Sequence, residues 1–269
     1  MLLNIYTIVE YLLIGAVAGT FAGMLGVGGS VVVVPALAFV FSAHKIIPAN
    51  SLMHFVVGTS LAATIVTTLF SLRIQYHKSS LSWDVLFKLI PGIALGVITG
   101  AVLARFLHSH VLRVLFGVFI ILVSAQTFFR FRESKEQGLP GTVNRWLASL
   151  FIGIFSGLLG TSGGPLVIPY LTYFKTPIRE AMVVSTACGV VITLVGTVGF
   201  MMTGWFDPSI QSVSWNTGYV YWPAVLAIAM GSPLFAALGA AWSYRLPVER
   251  LRQFFAAFLL ILGLGMLLH

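Results

Sequence analysis

Two glycine-rich turns, each opening a short apolar run, hold the chemistry most legible in this chain: Gly28-Gly29-Ser30 and Thr161-Ser162-Gly163-Gly164. Glycine reaches the left-handed backbone conformations that break a helix and lets another backbone approach closely. A helix that restarts beyond such a break begins with amides that have no intrahelical partner and carry partial positive charge. Two of these N-termini brought together form an anion site that needs no Lys or Arg. The plainer reading of the nearby Gly23, Gly26, Gly157 and Gly160 is close helix packing through small residues. Both readings fit, with the outer glycines packing and the turns lining a site. No Gly-Lys-Ser/Thr follows either turn, so a nucleotide-binding P-loop is excluded.

Hydroxyls form the second group. Thr59-Ser60 and Ser185-Thr186 stand at corresponding points of two long apolar segments and supply neutral donors to a desolvated anion. Their plainer reading is a bond back to a helix carbonyl. Ionisable residues form the third group. His54 and Glu180 also correspond, and Glu10 sits in the first apolar segment; each is a candidate for proton coupling. The plainer reading is that such side chains near helix ends reach the interface. No enzyme constellation accompanies them: the chain has no HExxH, no GxSxG and no Asp pair at helical spacing, and Cys188 has no nearby His. Neither a cofactor nor a metal site is expected.

The elements that position these groups follow from composition. The 269 residues are 58% hydrophobic and 8% charged, with a mean hydropathy of +1.00. Soluble domains carry roughly 25% charged residues. Charge is also bunched: residues 11–44, 46–72, 146–174, 181–206 and 208–244 contain no Asp, Glu, Lys or Arg. Each of these stretches exceeds the ~20 residues that cross a ~30 Å hydrocarbon core. A soluble enzyme, a disordered chain and a disulfide scaffold are ruled out, leaving a polytopic helical membrane protein.

The chain is internally duplicated. Residues 19–35 (GTFAGMLGVGGSVVVVP) and 153–169 (GIFSGLLGTSGGPLVIP) are identical at 8 of 17 positions, at an offset of 134, about half the chain. Each half divides into five apolar segments: about 5–25, 30–42, 48–72, 85–104 and 111–129, then about 146–160, 164–174, 178–204, 219–243 and 251–268. The second segment of each half falls short of spanning length and follows a glycine break, so the first pair is expected to form a broken or re-entrant hairpin.

Parity then sets the arrangement. If each broken hairpin returns to the side it started from, a half makes an odd number of net crossings and the second half is inverted. With both termini outside, that topology places 12 of the 15 Lys and Arg on the cytoplasmic side and leaves Lys45, Arg105 and Arg113 outside. Parallel halves divide the same residues 7 to 8, which is no bias. The positive-inside rule selects the inverted repeat.

Trp83, Trp146, Trp205, Trp222 and Trp242 all fall at segment ends, as an interfacial belt requires. Residues 130–145 read as a cytoplasmic linker, and 205–218, which lack Lys and Arg, as an external loop. The net charge of +8 is topological rather than a nucleic-acid footprint, since no stacking platform or recognition motif accompanies it. A single cysteine permits no intramolecular disulfide. Ala16-Val17-Ala18 has the form of a signal cleavage site, but there is no basic n-region and Glu10 precedes it.

The paired glycine motifs resemble the duplicated signature of the TauE/SafE family of sulfite-exporter-like permeases. The similarity extends to VVGTSLAATIV with downstream His77, to SLSWDVLFKLIPGIALG and to GYVYWPAVLAIAMGSPLFAALGA, and so to nearly the whole chain. The second copy departs from the glycine-richest form, with Thr161-Ser162 before the glycines and Pro165 after them. The resemblance implies a bacterial plasma-membrane transporter of small, often sulfur-containing anions such as sulfite, thiosulfate or sulfonates.

The expected molecule is thus an all-α integral membrane protein of two inverted repeats, residues 1–129 and 146–269, joined by the 130–145 linker. Its partners are a small anion and the lipid bilayer, with no nucleic acid. It is expected to work by alternating access. The alternatives are a gated anion channel and a non-transporting membrane subunit or scaffold for a partner enzyme. Oligomeric state is not written in the sequence.

Overall fold

A computed structural model describes residues 5–25, 28–76, 81–129, 141–207, 210, 213–243 and 248–268. Gly26, His77 and most of the 130–145 linker lie outside the described residues, as do four residues of the 205–218 loop. The chain forms α1 (Ile5–Leu25), α2 (Ser30–Ala43), α3 (Leu52–Tyr76), α4 (Trp83–Phe106) and α5 (Ser109–Phe129) in the first half. The second half forms α6 (Thr142–Leu159), α7 (Gly164–Tyr173), α8 (Ile178–Trp205), α9 (Trp222–Ser243) and α10 (Val248–Leu268). A two-stranded hairpin, β1 (Asn216–Thr217) and β2 (Val220–Tyr221), precedes α9.

All ten apolar segments are helices, because a backbone in hydrocarbon must satisfy its own hydrogen bonds and a helix does so locally. Among the described residues, seven helices are long and apolar enough to cross a bilayer. α2, at 14 residues, reaches about 21 Å at about 1.5 Å per residue, less than a hydrocarbon core. The outer surface is apolar, with Leu122, Phe151, Met230, Leu234 and Ile261 all well exposed, which suits lipid rather than water. The protein is a multi-pass membrane protein.

One expectation about the segments is corrected. Residues 219–221, read from the sequence as the start of a helix, are extended, and the helix begins at Trp222. Gly218, at φ 57°, turns the chain there, and the Tyr219 N–H donates to Phe200 O at 3.2 Å. Tyr219, Val220 and Tyr221 are all buried. The stretch after the loop is therefore an extended plug packed against the ends of α3 and α8, and its apolarity reflects burial in protein rather than helix formation.

The helices pair in a pattern that survives exchange of the two halves. α1 lies alongside α9 in parallel: Gly15, Gly19 and Gly23 meet Ile228, Ser232 and Ala236. α6 lies alongside α4 in the same way, with Gly153 and Gly157 against Ile93 and Val97. Two further sets of matched helices, α3 with α8 and α5 with α10, pack against each other and run antiparallel. On α3 and α8, Gly58 meets Phe200, Gly196 meets Leu61, and Thr186 bonds Gln75. On α5 and α10, Gly117 faces Leu267, and Ser124 Oγ donates to Ala256 O at 2.7 Å.

Glycine is required at these crossings. A β-carbon on Gly23 would lie 2.0 Å from Ala236 O, and one on Gly157 would lie 2.6 Å from Val97 O. Only hydrogen fits where backbones touch in this way.

Candidate functional site at the crossing of the two breaks

Both helix breaks are built on left-handed glycines. Gly28 and Gly29 have φ of 77° and 71°, and Gly29 caps α2; Gly163, at 78°, caps α7. Gly160, at 70°, ends α6. A residue with a β-carbon pays about 1–2 kcal/mol in this conformation, so the turns are glycine-specified.

The two turns meet. Ser30 Oγ donates to Ser162 Oγ at 3.1 Å and accepts the Ser162 N–H at 2.8 Å, so residues 132 positions apart close a paired contact. Both serines are buried. Gly163 packs on Ile192, Gly189 on the Ser162 carbonyl, and the Thr68 methyl lies near both Gly28 and Gly189. α3 and α8 thus flank the crossing from either side. Beside it, Thr161 Oγ1 and Ser156 Oγ are fully buried and have no partner among the described residues. A buried hydroxyl without a partner carries a desolvation cost of about 1–3 kcal/mol. The crossing therefore collects small polar groups, unpartnered hydroxyls and two helix N-termini.

The other candidates are distributed around it. Gly164 opens α7, with Pro165 in its first turn, a position where a missing N–H costs nothing. Ser60 Oγ reaches the Gly160 carbonyl at 3.4 Å and so braces the end of α6. Thr59 faces the other way and accepts the Tyr221 N–H at 3.0 Å, tying β2 to α3. Thr186 Oγ1 contacts Gln75 Oε1 at 2.9 Å and Met182 O at 2.8 Å, while Ser185 Oγ is buried without a partner.

The ionisable candidates stand apart from the crossing and from each other. Glu10 pairs with His44 at 2.9 Å, both part-exposed, and this contact ties α1 to the end of α2. Glu180 is half-buried in the first turn of α8. His54 is buried, with Nε2 bonded to Ala104 O at 2.9 Å and its ring 5.1 Å from that of Tyr219. Although His54 and Glu180 correspond in the repeat, α3 and α8 are antiparallel, so the two residues sit at opposite ends of that helix pair.

Around His54 the seam is sealed by aromatics. Phe55 and Phe200 pack against Tyr219, and Phe41 against Tyr221. Tyr219 Oη donates to Asp207 at 2.6 Å; burial and this bond hold its hydroxyl well above the usual tyrosine range. Outside the plug lies an open cavity of about 470 Å³, lined by Trp205, Phe206, Asp207, Ile210, Asn216, Thr217 and Gly218. Asp207 gives the described wall a carboxylate, which is unsuited to an anion.

Sequence reading missed Thr68, Ser156 and Gly189. One signal was available: Ser60, Thr64, Thr68, Ser71 and Gln75 recur every three or four residues and make a polar stripe on an otherwise apolar helix.

A bilayer-spanning helical protein of two similar halves, whose broken helices meet in its interior, is a membrane transporter in architecture. Residues 11–266 match the family model described as Sulfite exporter TauE/SafE, and the chain belongs to that family. It is 30% identical to a probable membrane transporter protein of Haemophilus influenzae, over 96% of this chain and 97% of the relative. Similar proteins in Methanocaldococcus jannaschii and Bacillus subtilis are 24% and 23% identical over 93% or more of each chain, and both are likewise named probable membrane transporter proteins. No solved structure matches the chain.

Proposed function

We propose that this membrane transporter is a secondary carrier for a small sulfur-containing anion such as sulfite, thiosulfate or a sulfonate, working by alternating access across the plasma membrane. The observation that carries the reading is the contact of Ser30 with Ser162, flanked by the unpartnered Thr161 hydroxyl. An anion held there is met by hydroxyls and helix N-termini, with no full positive charge to trap it. Neutral donors bind strongly enough to desolvate an oxyanion and weakly enough to let it go. Rocking of one half against the other about the crossing opens each side in turn. The inverted arrangement is supported by the antiparallel pairing of α3 with α8 and of α5 with α10, together with the 12-to-3 division of basic residues.

No nucleotide motif is present in the sequence, so the energy source is an ion gradient or the membrane potential. An inside-negative potential favours anion export by ~2.3 kcal/mol per charge per 100 mV. Export therefore runs uncoupled, whereas uptake requires protons or sodium. The test is flux in proteoliposomes, comparing sulfite, thiosulfate, sulfate and a sulfonate with and without a pH gradient. Saturable movement of one sulfur anion supports the reading. Absence of flux for all four overturns it, and flux far above a carrier's turnover assigns a channel.

A further inference from the structure

We propose that Ser71, Gln75 and Ser185 form a second oxyanion subsite, one to two helical turns from the Ser30–Ser162 crossing and toward the N-terminal end of α8. The proposal rests on the transporter reading above and extends it to a further site.

The register of α3 and α8 locates the subsite. Thr68 and Gly189 flank the crossing, and the Thr68 methyl lies near both Gly28 and Gly189. Moving from Thr68 along α3 toward its C-terminus, the same face presents Ser71 and then Gln75, seven residues or about 10 Å away. Because α8 runs antiparallel, the same direction passes from Gly189 to Ser185, one turn away on the same face, and to Thr186. The Thr186–Gln75 bond fixes this register.

The polar groups on this stretch are left over in an unusual way. Ser71 is 1% exposed and Ser185 0%, and neither hydroxyl has a partner among the described residues. Serine hydroxyls in helices readily bond back to a carbonyl one turn earlier, as Thr64, Thr68 and Thr186 do here. Ser71 and Ser185 do not. The Gln75 amide is held through Oε1 by Thr186, which leaves Nε2, a buried donor pair, without an acceptor. Three neighbouring side chains therefore offer donors that nothing among the described residues accepts. The ligand class that uses several converging donors and no cation is a small oxyanion.

The opposite direction along the seam has the reverse character. From Ser60 toward the α3 N-terminus the hydroxyls are used internally, and His54, Phe55, Phe200 and Tyr219 close the path. Beyond the subsite, Arg73 and Arg179 are exposed at the α3 C-terminus and the α8 N-terminus, where they gather anions from solution. Glu180 stands beside Arg179 in the first turn of α8, so the two arginines outnumber one carboxylate there, and the subsite is a waystation between this rim and the central crossing.

The test compares Gln75→Glu, Gln75→Leu and the Ser71→Ala/Ser185→Ala pair with wild-type protein in proteoliposomes. The probes are sulfite and thiosulfate, and thermal stability is recorded in detergent. Gln75→Glu replaces a donor with a carboxylate and is expected to raise KM at least tenfold. Gln75→Leu and the serine pair are expected to raise it about three- to tenfold, with kcat changed less. Thr186→Val severs the helix tie but keeps the donors, so a purely structural role for Gln75 would make it as damaging as Gln75→Leu. A KM within twofold of wild type in folded Gln75→Leu and in the serine pair overturns the subsite alone. Equal damage from Thr186→Val and Gln75→Leu also overturns it. Absence of flux in the wild-type protein overturns the transport reading and the subsite with it.

Discussion

Gly28 and Ser162 occupy the same position in the two repeats, and they stand face to face: a β-carbon on Gly28 would lie 1.8 Å from Ser162 Oγ. One copy can keep a hydroxyl at this point only because the other has no side chain. The departure of the second copy from the glycine-richest motif is thus accommodated by the first.

Replacement of Gly28 by Ala is therefore expected to abolish flux and lower the melting temperature by several degrees. Adding Ser162→Gly relieves the steric clash but not the φ of 77°, so the double variant should recover part of the loss. The residual strain is about 1–2 kcal/mol. Thermal unfolding of the four proteins of this cycle measures the coupling directly; strict additivity would refute the contact.

Ser30→Ala removes the acceptor of the Ser162 N–H at 2.8 Å. The stranded amide costs about 1–3 kcal/mol. Ser30→Thr retains the acceptor and should be milder in stability. If Ser30→Ala transports at the wild-type rate, the crossing is not where the anion rests.

The outer glycines give a symmetric test. Gly23→Leu on α1 and Gly157→Leu on α6 drive a side chain into backbone at equivalent crossings, Ala236 and Val97. Both variants should lose folded yield in fluorescence-detected size exclusion, whereas Gly265→Leu, on α10, with nothing within 4 Å, should not.

Tyr219 predicts where pH does not matter. Its hydroxyl is raised above the ordinary tyrosine value of about 10 by burial and by the Asp207 bond. The folded state therefore holds this proton more tightly than the unfolded state. The resulting stability is fully present below about pH 10 and is lost as pH rises through the folded value. Melting temperatures should show no pH dependence arising from Tyr219 between about pH 5 and 9, and Tyr219→Phe should blunt the alkaline decline. It should also cost about 1 kcal/mol at neutral pH for the lost bond.

Cys188 is buried, so single cysteines placed elsewhere report topology against a silent background. Cysteines at positions 45 and 105 should react with an impermeant maleimide added to intact cells, and those at 145 and 179 only after lysis. The reverse pattern would exclude the termini-outside arrangement.

Much of the chain was legible locally. Hydropathy located all ten helices, because a run of apolar residues in hydrocarbon has only one way to satisfy its backbone. The turns at Gly29 and Gly163 were legible because glycine alone occupies their φ without strain. The extended stretch at Tyr219–Tyr221 was not, since hydropathy records burial and does not say whether lipid or protein does the burying. The hydroxyls divide in the same way. Thr59 and Ser185 look equivalent in the repeat, yet the fold gives Thr59 to the Tyr221 amide and leaves Ser185 without a partner.

What the sequence by itself determined was the membrane class, the helix boundaries to within a few residues and the two breaks. These depend on transfer of side chains from water and on local backbone freedom, both of which are properties of short windows. What only the tertiary structure decided was that Ser30 meets Ser162, that His54 and Glu180 lie at opposite ends of one helix pair, and that Ser71 and Gln75 join the polar seam. Those relations span more than a hundred residues and follow from which helix packs against which, a matter of backbone contact at glycines that no single segment encodes.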